Sequence, residues 1–116
     1  MQRRVFIIHG YQGSPLTGWK PWLAEELRAK GYEVHIPAMP TPNTPKKDEW
    51  VKTISETIGK PQPTDILLGH SLGTIASLRY LESLKPGEKI GKTILLAGFY
   101  EHLGDDDMTN MLTFID

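Results

Sequence analysis

The sequence predicts an α/β fold: a parallel sheet forming the middle of three layers, with helices on both faces. Short apolar runs bounded by glycine or proline alternate along the chain with longer stretches of helical periodicity, and that alternation is the signature of strands joined by helical crossovers. Crossovers of this kind are right-handed, and the strand order expected is 2-1-3-4.

Each element has its own signal. Arg4 to His9 is a short apolar run closed by Gly10 and reads as the first strand. A helix follows from about Trp19 to Lys30, with Trp22, Leu23 and Leu27 expected on its buried face and Gly31 ending it. Tyr32 to Pro37 is the second strand. Pro37, Pro40, Pro42 and Pro45 then forbid regular structure until Thr44 is placed to cap a second helix with Pro45 in its first turn. Trp50, Val51, Ile54 and Ile58 mark that helix's apolar face, and Gly59 and Pro61 stop it. Asp65 to Gly69 is the third strand, a third helical run extends from Ile75 to Leu84 before Pro86-Gly87, and Lys92 to Ala97 is the fourth strand.

Composition narrows the function. At 116 residues the chain is expected to form one domain, residues 1–116, with a core that needs no staple. Thirteen Lys and Arg against fourteen Asp and Glu give a net charge of −1, which offers nucleic acid no basic surface. No cysteine is present, so disulfides, thiolate metal sites and a cysteine nucleophile are excluded together. That usage agrees with a cytoplasmic location. The apolar run Val5 to Ile8 is too short for a signal peptide, and no run reaches the ~20 residues that span a bilayer, so no membrane partner is expected.

The chemistry concentrates where the third strand turns into the third helix. Gly69-His70-Ser71-Leu72-Gly73 places a serine on a sharp strand-to-helix turn, and only glycine fits at the flanking positions. This is the nucleophile elbow of an α/β hydrolase, with Ser71 as nucleophile. In an open sheet ordered 2-1-3-4, ligands bind beyond the carboxyl ends of strands 1 and 3, so the loop His9-Gly10-Tyr11-Gln12 should meet the elbow. An oxyanion hole then draws one backbone N–H from Leu72, at a helix start, and a second from Tyr11, or failing that from Gln12. Trp19, Phe99 and Tyr100 are candidates to line an acyl pocket.

His9-Gly10-Tyr11, Trp19 with Trp22-Leu23, Met39-Pro40 with Pro42 and Pro45, Trp50, the elbow and Leu103-Gly104-Asp105 together resemble the YdeN-like and retinoblastoma-binding-protein-like serine hydrolases, a small α/β-hydrolase family. The resemblance runs almost end to end. It implies a Ser-Asp-His hydrolase of small carboxylic esters or related acyl substrates, working through a Ser71 acyl-enzyme without cofactor or metal. It also implies that this chain corresponds to the N-terminal two-thirds of the family fold, the triad acid and histidine falling beyond Asp116.

Other readings compete. His102 with Asp105, Asp106 or Asp107 forms a conceivable improvised base and acid for Ser71. His70, next to the serine, is expected to pack instead, because neighbours on a strand face opposite ways. His9 is read as a loop anchor and His35 as structural. Gly13 to Lys20 lacks the lysine that a phosphate loop needs directly after its second glycine, and the Asp105–Asp107 run lacks the glycine and glutamate of a calcium loop. The alternative function is a non-catalytic binding protein that keeps the hydrolase surface without the triad, with self-association through an uncovered sheet edge.

Overall fold

A computed structural model describes residues 3–96, with the elements β1 (Arg4–Ile8), α1 (Lys20–Ala29), β2 (Glu33–His35), α2 (Lys47–Ile58), β3 (Ile66–His70), α3 (Leu72–Glu82) and β4 (Lys92–Leu96). All strands run parallel in the order β2-β1-β3-β4, as the sequence predicts. Val5 of β1 pairs with Val34 on one side and Ile66 on the other, which makes β1 and β3 the interior strands.

The sheet is covered on both faces, so Val5 to Ile8 of β1 are all buried but alternate between different cores. Val5 and Ile7 join Ala24, Val34 and Leu68 under α1, while Phe6 and Ile8 join Trp50, Ile54, Leu67, Leu72 and Tyr80 under α2 and α3. Burying a large apolar side chain contributes about 1.5–3 kcal/mol, so these two strands hold the layers together.

Several boundaries differ from the sequence reading. The buried face of α1 carries Lys20 and Ala24 with Leu23 and Leu27 half-buried, a spacing of three or four residues; Trp22 falls on the far side and is 63% exposed. Trp22, expected on one face with Leu23 and Leu27, is turned about 100° from Leu23 around the helix and so faces out. Thr44 does not cap α2. Its N–H donates to Thr41 O and its carbonyl accepts from Thr41 Oγ1, closing a turn, after which the chain stays extended to Lys46 and the helix begins at Lys47. Asp48 and Glu49 in the first turn supply the negative charge that a helix start favours. The third helix starts at Leu72, directly after the serine, and β2 is only three residues long. Among the described residues β4 is a sheet edge, with Ile94, Leu95 and Leu96 exposed.

Candidate active site

Ser71 is held in a backbone conformation that side chains seldom adopt, with φ 56° and ψ −124°. Three features impose it. Its N–H donates to Leu96 O at 2.9 Å, its carbonyl accepts from Thr74 N at 2.9 Å, and the glycines on either side let β3 and α3 come together where a side chain would not fit. A methyl group on Gly69 would lie 2.5 Å from Gly73 O, and one on Gly73 would overlap Ile8 O. The geometry of the strained elbow is therefore written in the glycines.

The first loop meets this turn. A methyl group on Gly10 would lie 2.8 Å from Ser71 Cβ and 3.3 Å from Ser71 Oγ, so the hydroxyl faces the loop that follows β1. The loop closes on itself through Gly13 N–H to Gly10 O at 3.0 Å, with Gln12 left-handed at φ 58°. Gln12 N–H donates to Pro42 O at 2.9 Å. That bond removes Gln12 from the expected oxyanion donors, because its proton is already committed to a neighbouring loop. Tyr11 N–H has no backbone acceptor among the described residues and stays the first-loop candidate beside Leu72 N–H at the start of α3.

His9 fixes the loop from below. It is 1% exposed, its Nδ1 lies 3.0 Å from Gly10 O and its Nε2 accepts from Met39 N–H at 2.9 Å. Those partners define one neutral tautomer, the proton on Nδ1. Burial lowers its pKa, and the Lys20 charge adds to the effect. The ring also meets Trp50 edge-on at 5.6 Å, so His9 joins the first loop, the proline-rich segment and α2, the anchor expected of it.

A cavity of about 450 Å³ opens beside the serine, lined among others by Tyr11, Thr17, Trp19, Lys20, His70 and Ser71. Trp19 therefore lies where an acyl pocket was expected; Phe99 and Tyr100 lie outside the described residues, as do His102 and Asp105 to Asp107. His70 packs its ring edge-on against Trp19 at 5.4 Å, as predicted of a packing residue, yet it also lines the cavity. Burial lowers its pKa, with a further contribution from Lys20. Lys20 escaped the sequence reading, although a signal was present: it sits three and four residues before Leu23 and Ala24, on the buried face of α1. Among the described residues no group of acidic and histidine side chains is arranged to hold a metal ion, and no helix is long and apolar enough to cross a membrane.

Comparison with known proteins agrees with this geometry. The family model described as serine hydrolase matches residues 5–114. YdeN of Bacillus subtilis is 37% identical over 113 residues, 97% of this chain and 60% of YdeN, and the serine hydrolase RBBP9 of Rattus norvegicus is 27% identical over 107 residues, 90% and 55% of the two chains. The chain thus spans roughly 55–60% of the length of these curated relatives. The crystal structure of the ydeN gene product superposes with a TM-score of 0.83 at 36% identity, covering 99% of this chain and 59% of that one. A pyrethroid hydrolase from Sphingobium faniae, with a TM-score of 0.66 at 24% identity over 90% of this chain and 43% of that one, shares the fold.

Proposed function

The chain belongs to the serine hydrolase family, and from that premise we propose that it cleaves small carboxylic esters or related acyl substrates through a covalent intermediate on Ser71. Ser71 Oγ attacks the acyl carbon, and the oxyanion of the tetrahedral intermediate is stabilised by Leu72 N–H and Tyr11 N–H. The alcohol then leaves and water releases the acid. Losing one such donor typically costs about 3 kcal/mol of transition-state stabilisation, which is why the position of the first loop matters as much as the hydroxyl. The absence of cysteine fits action in a reducing cytoplasm.

The observation that carries this reading is the meeting of a left-handed serine with Gly10, which aims Oγ at the loop bearing Tyr11. A base must still take the serine proton. His9 has both ring nitrogens engaged, His35 binds Glu33 at 2.7 Å, and His70 makes no hydrogen bond to Ser71. No histidine among residues 3–96 is hydrogen-bonded to Ser71, so the base is expected from the part of the family fold outside them. The experiment is intact-mass analysis after treating the protein encoded by the entire reading frame with a fluorophosphonate. One adduct is expected, and it disappears in Ser71→Ala; labelling that survives in Ser71→Ala overturns the assignment. A wild-type protein that takes up no probe supports the non-catalytic binding reading instead.

A further inference from the structure

Among the described residues Lys20 is a buried cation without an anion. The residue is 4% exposed, its Nζ donates to Thr17 Oγ1 at 3.3 Å, and it lies 5.7 Å from the Trp19 ring centre. An ammonium carries three donors, and one long bond to a neutral hydroxyl leaves two unspent. None of the ion pairs among the described residues includes Lys20, and no acidic side chain among them lines the cavity. The helix dipole offers no compensation either, since Lys20 is the first residue of α1, where positive charge is unfavourable. The ring of Trp19 returns part of the lost hydration through its π face.

A buried, unpaired charge is costly, and an anionic ligand would supply the partner that it lacks among the described residues. Thr17, which accepts from the ammonium, and Trp19, whose ring it approaches, both line the cavity that also holds Ser71, as does Lys20 itself. The hydrogen bond of Lys20 Nζ goes to Thr17 Oγ1 and not to Ser71 Oγ.

We propose that Lys20 recognises a carboxylate on the substrate, so that the preferred acyl group carries an anionic far end, as in the monoesters of short dicarboxylic acids. This rests on the serine hydrolase reading and names its substrate class. The ammonium pairs with the distal carboxylate while the ester carbonyl lies at Ser71. The exchange of water for a charged partner in a partly desolvated cleft makes this contact specific as well as attractive. Burial also lowers the Lys20 pKa, and an arriving carboxylate would counter that shift by favouring the charged form.

The test uses the whole reading-frame protein and two readouts. First, kcat/KM is measured for p-nitrophenyl monoesters of succinic, glutaric and adipic acid, each against the neutral p-nitrophenyl ester of the same chain length. The anionic member is expected to be preferred in at least one pair, and that preference should fall tenfold or more in Lys20→Met and largely return in Lys20→Arg. Second, calorimetry measures succinate, glutarate and adipate binding to Ser71→Ala, with and without Lys20→Met, which needs no turnover. Binding that depends on Lys20 without any ester cleavage keeps the anion site and removes the hydrolase reading. Cleavage with an unchanged preference in Lys20→Met, or no dicarboxylate binding lost with Lys20, overturns the proposal and leaves the hydrolase reading intact.

Discussion

At the amino end of the sheet Asp65 is 0% exposed and fully satisfied: Arg4 grips it with two bonds of 2.9 and 2.7 Å, and Gln62 N–H adds a third at 2.8 Å. Arg4 spends two further donors on the carbonyls of Ile58 and Lys60, and the pairing with Asp65 raises its pKa. At the carboxyl end Lys20 is almost as deeply buried and has, among the described residues, one weak neutral hydrogen-bond partner, while Ser71, lining the same cavity, holds a strained backbone. The same sheet thus closes its charges at one end and leaves one open at the other. A satisfied ion pair ties β1 to the end of α2 and to β3 and asks for nothing more, whereas a charge with no anion among the described residues, beside a strained serine, is an arrangement that a ligand carboxylate would complete.

Mutation should make the two ends respond with opposite signs. The largest effect is expected from Asp65→Ala, which strands the Arg4 guanidinium: about 3 kcal/mol of stability should be lost, at the low end for a broken buried pair because the Arg4 side chain keeps a fifth of its exposure. Urea unfolding measures it, and a loss under 1 kcal/mol would show that the pair is no structural tie. Lys20→Met should instead stabilise the unliganded protein by about 1 kcal/mol, since it removes an unpaired charge and keeps the stem's packing. A lower unfolding midpoint in that variant would mean that the lysine is satisfied by its surroundings.

A smaller, pH-dependent effect belongs to the carboxyl end. His9 and His70 are both held below the ordinary imidazole pKa by burial, so between their lowered values and about 6.5 the unfolded chain binds protons that the folded protein refuses. Their share of stability is complete above that range and declines as the pH falls through it. Urea midpoints from pH 8 to 5 should drop toward acid, and His9→Gln should flatten part of the slope; an unchanged midpoint across the range would contradict the assignment of a neutral, doubly bonded His9.

The strand order, the elbow and the meeting of the two loops were all legible in the sequence, because glycine spacing and apolar runs are local signals that map onto backbone geometry. What escaped depended on contacts between distant segments. Nothing near Gln12 reveals that Pro42, thirty residues on, takes its proton. Thr44 has a capping side chain in front of a helix, but a turn with Thr41 uses its backbone first. Trp22 is apolar yet faces out, while Lys20 is charged yet lies on the buried face of α1 with Ala24, so at both positions helix phase outweighs residue polarity.

The direct test of the whole account is a crystal structure of the phosphonylated protein from the entire reading frame. The account predicts phosphorus on Ser71 Oγ, its oxygen within hydrogen-bond distance of Leu72 N and Tyr11 N, and the adduct's organic group in the cavity beside Trp19 and Lys20. A phosphonyl group attached elsewhere, or one whose oxygen turns away from the Gly10–Tyr11 loop, would contradict it.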